Sequence, residues 1–172
     1  MLIAYEQEDM TVWQEYVDSF TIYHLPFTPQ LLLYDYGFCG FMVDSDKEAA
    51  KPYVEQFRRH VELLRGQLPV GHYEMYMSAV YVYEMRLKVS IHPLKAMSLA
   101  KEAVSLAPED PLTLSYYGTC QFYAPKPFGS KKDALKWFEQ AEVYFRAPEY
   151  RDCWLREATD MYIRLCREKY SL

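Results

Sequence analysis

The stretch SKKDALKWFEQA, Ser130–Ala141, decides the fold of this chain. Ser130 is followed three residues later by Asp133, a variant of the capping box that begins a helix. Ala134, Phe138 and Ala141 then recur at intervals of four and three residues, which places them on one helical face. Small residues on such a face let two helices cross closely, and the larger residue fills the gap beside them. The stretch therefore predicts a helix packed closely against a helical neighbour.

Both features of this stretch have counterparts elsewhere in the chain. Ala96, Ala100 and Ala103 repeat the same two intervals, and Pro108 closes that segment. The pattern Y-G-x-C-x-F also occurs twice, as YGFCGF at 36–41 and as YGTCQF at 117–122. A residue pattern that recurs along a chain is typical of repeated helical hairpins. We expect Gly37 and Gly118 at equivalent points of close helix crossing.

These spacings resemble the tetratricopeptide repeat over 29–172, and the match is clearest over 77–145. The resemblance implies an all-α, right-handed α-hairpin solenoid, TPR-like, of about eight helices. The stretch 125–141 is also similar to a loop and helix of uncharacterised bacterial repeat proteins, which supply no catalytic residues to carry over. The resemblance implies a protein-binding module.

Helical periodicity and its interruptions give the boundaries of the elements. A chain of 172 residues predicts one domain over 1–172, with an acidic helix at 9–23 and a capping helix at 148–170. We expect helices to start at the caps Thr28, Asp46, Asp110 and Ser130. The predicted helices are 9–23, 29–43, 47–68, 73–91, 94–106, 111–123, 131–146 and 148–170.

Charge is distributed unevenly along the chain. The net charge is −5, yet the segment Met1–Asp46 holds eight acids and no Lys or Arg. No basic stripe suits nucleic acid, and no apolar run approaches the ~20 residues of a membrane span. An acidic end and a mildly basic body can attract each other across a homodimer or steer a basic partner, and the alternative is a solvated acidic face. With no leader peptide in the sequence, the expected compartment is the cytoplasm, or the periplasm or cell exterior if an upstream leader was removed.

The reactive residue types form no recognisable catalytic or metal-binding pattern. The four cysteines lack CxxC pairing, and the four histidines form neither H-x3-H nor H-E-x-x-H. The Lys-rich loop 125–132 lacks the glycine and lysine positions of a phosphate-binding loop. We therefore expect a non-enzymatic protein without cofactor or metal.

The aromatic residues indicate the candidate site. In stacked hairpins the first helix of each pair lines a concave face that binds partners. An apolar, Tyr-rich face of this kind suits a protein or peptide. Three alternatives stay open: these rings fill the core, the chain is structural or self-associating, or it encloses a small-ligand or lipid pocket. The predicted partner-binding residues are Tyr34, Phe38, Phe41, Tyr81, Met85, Phe122, Tyr123 and Tyr162.

Overall fold

The structure, a computed structural model, describes residues 10–22 and 28–168, apart from the side chains of 20–22. Over these residues the protein is all-helical, without a strand, as the sequence predicts. Two short 3-10 helices, Arg65–Gln67 and Pro148–Tyr150, accompany the α-helices. The eight α-helices of the described residues are α1 Thr11–Ile22, α2 Pro29–Ser45, α3 Lys47–Leu64, α4 His72–Arg86, α5 Pro93–Leu106, α6 Pro111–Tyr123, α7 Lys131–Tyr144 and α8 Trp154–Glu168.

Local capping fixes where these helices begin. The Asp46 carboxylate accepts hydrogen bonds from two backbone N–H groups at the start of α3, and Asp110 accepts one from Thr113 at the start of α6. The Ser130 hydroxyl oxygen accepts from the Asp133 N–H at 3.0 Å and its O–H donates to the Asp133 carboxylate at 2.7 Å. Each of the bonds from a backbone N–H pairs a group that a helix start otherwise leaves unpaired. Thr28 precedes Pro29 as predicted, although its side chain makes no capping bond.

The described chain divides into two compact units, one over residues 10–99 and the other over 100–168. In the first unit, α2 packs against both α3 and α4, α3 packs against α4, and α1 packs against α2. The prediction of one domain stays a prediction. Fully buried side chains of this unit include Leu32, Phe38, Val43, Phe57, Val61, Leu64, Tyr76 and Val80.

In the second unit, α7 packs against both α6 and α8, and α6 also contacts α8. Its core contains Ala134, Phe138, Ile163 and Cys166, with Phe122, Leu135 and Tyr162 packed around them. The side of Phe138 lies so close to Gly118 that a Cβ there would meet the ring at 2.7 Å. The close crossing expected at Gly118 is therefore present between α6 and α7.

Two helix boundaries differ from the sequence prediction by five residues or more. Helix α4 ends at Arg86 rather than near 91, because Lys88 adopts a positive φ of 59° that cannot continue a helix. The Lys88 N–H donates to the Met85 carbonyl and the Val89 N–H to the Glu84 carbonyl, which closes the helix end. At the other difference, Pro148–Tyr150 forms a single 3-10 turn, and α8 begins only at Trp154.

The outer limits predicted for the first and last helices, 9–23 and 148–170, extend outside the described residues. Among the helices that the structure describes, none is both long and apolar enough to cross a membrane.

Candidate functional site

Three of the predicted partner-binding residues lie together in the second unit. The ring centroids of Phe122 and Tyr123 are 5.0 Å apart, and those of Phe122 and Tyr162 are 5.2 Å apart. The Tyr123 and Tyr162 hydroxyl oxygens are 3.2 Å apart and form a hydrogen bond. We call these three residues the aromatic patch, which joins the end of α6 to α8.

Two rings of the aromatic patch are held by neighbouring side chains, and the third is exposed to solvent. The Tyr162 ring stacks on the buried Phe138 ring, with centroids 5.1 Å apart and planes only 4° from parallel. The Lys131 ammonium lies 4.3 Å from the Phe122 centroid, within the range of a cation–π contact. Tyr123 is 67% exposed, so the patch presents one solvent-facing ring on two supported ones.

Tyr81 has a different environment, because it is held among charged side chains in the first unit. The Arg58 guanidinium carbon and the Lys95 ammonium lie 5.1 Å and 4.7 Å from its ring centroid. Hydrogen bonding to Lys95, together with Arg58, lowers the pKa of the Tyr81 phenol despite its burial. Arg58 also forms an ion pair with Glu84 at 2.6 Å. This arrangement joins α3, α4 and the start of α5, and leaves Tyr81 only 9% exposed.

The remaining four predicted residues do not join the aromatic patch. Phe38 is 1% exposed and meets Tyr53 edge-on at 4.9 Å between centroids, so it is a core residue of the first unit. Tyr34 packs against the Trp13 and Tyr16 rings of α1 at 6.1 Å and 5.2 Å. Phe41 and Met85 are half-buried. Phe38, and to a large extent Tyr81, therefore match the alternative in which the aromatic side chains fill the core.

The second unit also contains a surface depression that sequence reasoning missed. It has a volume of about 450 Å³ and lies along α6 and α7. Tyr117 and Trp137 meet edge-on across it, with centroids 5.0 Å apart. Gly118 on α6 lies beside Phe138 on α7, and the residues that precede them, Tyr117 and Trp137, also lie together. The sequence spacing that indicated the close crossing at Gly118 could therefore have located the depression. The lining residues are Tyr117, Gln121, Asp133, Lys136, Trp137 and Gln140.

A second feature that sequence reasoning missed, and for which the sequence carries no signal, is the pair of buried Asp35 and partly buried His60. The His60 Nδ1 atom lies 2.7 Å from the Asp35 carboxylate, joining α2 to α3. Burial raises the pKa of Asp35 above its ordinary value of 3.8, and the contact with His60 only partly offsets this. The two residues stand 25 positions apart without a motif, so only the fold brings them together.

The cysteine thiols are held in their protonated form. Burial raises the pKa of Cys120 to about 12 and that of Cys39 well above 9.0. Burial also raises the pKa values of Cys153 and Cys166. Since the thiolate is the nucleophile, these environments oppose cysteine catalysis. Within the described ranges, no group of three or more His, Cys, Asp or Glu side chains is placed to hold a metal ion.

No protein-family model, curated protein or solved structure matches this chain.

Proposed function

We propose that this chain is a tetratricopeptide-like, right-handed α-hairpin solenoid that binds a protein or peptide without catalysing a reaction. Its binding surface is the aromatic patch of Phe122, Tyr123 and Tyr162. The observation that carries the proposal is the 67% exposure of the Tyr123 ring beside two rings anchored on the core. Exposed tyrosine over a rigid base is a favourable contact residue, because it buries a large ring at little cost in side-chain entropy.

The packing of α6 against α7 supports the repeat architecture. Gly118 faces Phe138 closely, and Ala134 and Ala141 are fully buried on the same face of α7. Ala96, Ala100 and Ala103 on α5 are likewise almost fully buried. Small residues recur at the buried positions of both helices, as a hairpin array built from similar units requires.

The chemistry of the patch supports a peptide as the ligand. Its rings supply apolar area, while the Tyr123 and Tyr162 hydroxyls can each donate and accept a hydrogen bond. Lys131 adds a positive charge at the patch edge. A surface that combines apolar faces with a few polar atoms matches the alternating side chains and backbone amides of a peptide.

The proposal is tested by selecting ligands from a displayed library of random peptides on the immobilised full chain. Peptides that bind the wild type should lose about five- to thirtyfold in affinity for Tyr123→Ala, because an exposed aromatic anchor contributes on the order of 1–2 kcal/mol. Val143→Ser is the matched control, since Val143 is also exposed on this unit but lies outside the patch.

The outcome separates three cases. Binding lost in Tyr123→Ala and kept in Val143→Ser supports the patch. Peptides that bind both variants equally use another surface, and the proposed site is then wrong. A selection that returns no specific peptide would contradict the proposed function itself. Because Tyr123 is solvent-facing, the variant is expected to fold, which circular dichroism checks.

A further inference from the structure

The connection between α4 and α5, together with the first residues of α5, carries an unusual set of exposed apolar side chains. Val89, Ile91 and Leu94 are 61%, 80% and 74% exposed, and they fall within six residues of sequence. A single exposed aliphatic residue is ordinary, but a contiguous group of them marks an interaction surface.

This turn is also basic, in a chain that is acidic overall. From Arg86 to Leu99 the sequence contains three bases and no acid, whereas the whole chain carries −5. Arg86 forms an ion pair with Asp44, while Lys88 and Lys95 lie exposed on either side of the apolar group. We call the segment 88–95 the basic turn.

The basic turn has a defined conformation. Val89 donates its N–H to the Glu84 carbonyl at 2.9 Å, and the Ser90 hydroxyl donates to the Glu84 carboxylate at 2.8 Å. The same carboxylate is held by Arg58. These bonds fix the turn before any partner arrives, which lowers the entropy cost of binding.

A surface of opposite character lies on α1. Trp13 and Val17 are buried, while Val12, on another side of α1, is 69% exposed. Tyr16, one helical turn after Val12, is 41% exposed, and the exposed Glu15 lies beside it. No Lys or Arg occurs in the sequence before Lys47. We call Val12, Glu15 and Tyr16 the acidic face.

We propose that the basic turn of one chain binds the acidic face of a second copy of this chain. Both surfaces combine exposed apolar side chains with charge, and their charges are opposite. Two basic turns would repel each other, and so would two acidic faces, because like charges placed face to face repel. The contact is therefore between unlike surfaces, and it produces a two-fold dimer with two such contacts or an open chain of copies.

The experiment is sedimentation velocity of the full chain from low micromolar to millimolar concentration, at low and high salt. The wild type should associate with rising concentration, and salt should weaken the association by screening the opposite charges. Ile91→Ser should weaken association about tenfold or more, because it removes a large apolar side chain from the contact. Leu63→Ser is the matched control, since Leu63 is 69% exposed on α3, outside both surfaces.

Charge reversal sharpens the test. Glu15→Lys and Lys88→Glu should each weaken association, and combining them in one chain should restore it. A wild type that stays monomeric throughout, or association that Ile91→Ser leaves unchanged, overturns the proposal. Binding of the monomer to phosphatidylglycerol vesicles through Ile91, without self-association, would assign the basic turn to a lipid surface and also overturn it. Each of these results leaves the proposed function of the aromatic patch intact.

Discussion

Gly118 shows how a single residue sets the distance between two helices. Added to Gly118, a Cβ would lie 2.7 Å and 2.8 Å from two carbons of the Phe138 ring. Phe138 cannot move aside easily, because it is fully buried and its ring stacks on Tyr162. The Phe138 ring thus needs the space that Gly118 leaves, and it supports the aromatic patch through its contact with Tyr162.

We predict that Gly118→Ala lowers the free energy of unfolding by about 1–3 kcal/mol, the cost of overpacking a well-filled core. Urea denaturation monitored by circular dichroism measures the change. Gly66→Ala is the control, since nothing lies within 4 Å of a Cβ at that position. We expect that variant to gain about 0.4–1 kcal/mol from the smaller entropy of its unfolded chain. If both variants were equally stable, the close contact with Phe138 would not limit the packing.

Glu84 illustrates a residue whose role the sequence could not indicate. In the structure its carboxylate accepts hydrogen bonds from both Arg58 and Ser90. The partners come from α3 and from the basic turn, so the explanation depends on tertiary contacts that no local pattern contains.

At the scale of helices, the starts that a capping side chain marks were predictable, whereas the end of α4 and the start of α8 at Trp154 were not. Starts depend on a capping side chain and the three residues after it, and Asp46, Asp110 and Ser130 provide this within one short window. The end of α4 depends on Lys88 at positive φ, where glycine is the usual residue. Since a lysine gives no such signal, the predicted helix continued to 91.

The sequence indicated one part of the candidate site and not another. The spacing of small residues indicated a close crossing of α6 and α7, which the contact of Gly118 with Phe138 shows. Tyr81 is buried because Arg58 and Lys95 approach it from two other helices. Distant charged partners of this kind have no periodic signature, so its burial could not be predicted.

The pair of helices α2 and α3 supplies a prediction about pH. The pKa of Asp35 is raised in the folded protein, mainly by burial and despite His60, so the folded state holds this proton more tightly than the unfolded chain. The stability that Asp35 contributes is therefore fully present below its ordinary pKa of 3.8 and is lost as the pH rises through the raised value.

Asp35→Asn removes this titration while keeping an oxygen that can accept a hydrogen bond from His60. We predict that the free energy of unfolding of the variant, minus that of the wild type, increases as the pH rises from below 3.8 through the raised pKa. Above that window the difference should become constant. Urea denaturation at a series of pH values measures it. A difference that decreases with rising pH would mean that the contact with His60 outweighs the cost of burial.

At the scale of the whole molecule, the thiols act as reporters of both compact units. Cys39 lies in the first unit, and Cys120 and Cys166 lie in the second. For Cys120 the rise in pKa from 9.0 to about 12 lowers the thiolate fraction at pH 8 about a thousandfold. Cys39 and Cys166 are in addition buried from reagent. Alkylation of these three thiols therefore requires local or global opening of the unit that contains each of them.

We predict that iodoacetamide at pH 8 modifies Cys39, Cys120 and Cys166 slowly in the native protein and rapidly in urea. Peptide mass spectrometry after timed quenching gives a rate for each cysteine, and a short peptide containing one cysteine serves as the reference. The dependence of the Cys39 rate on urea reports the opening of the first unit, and that of Cys166 reports the opening of the second. Native labelling of Cys39 at the reference rate would show that α2 is not packed as described, because its thiol could then neither be buried nor carry a raised pKa.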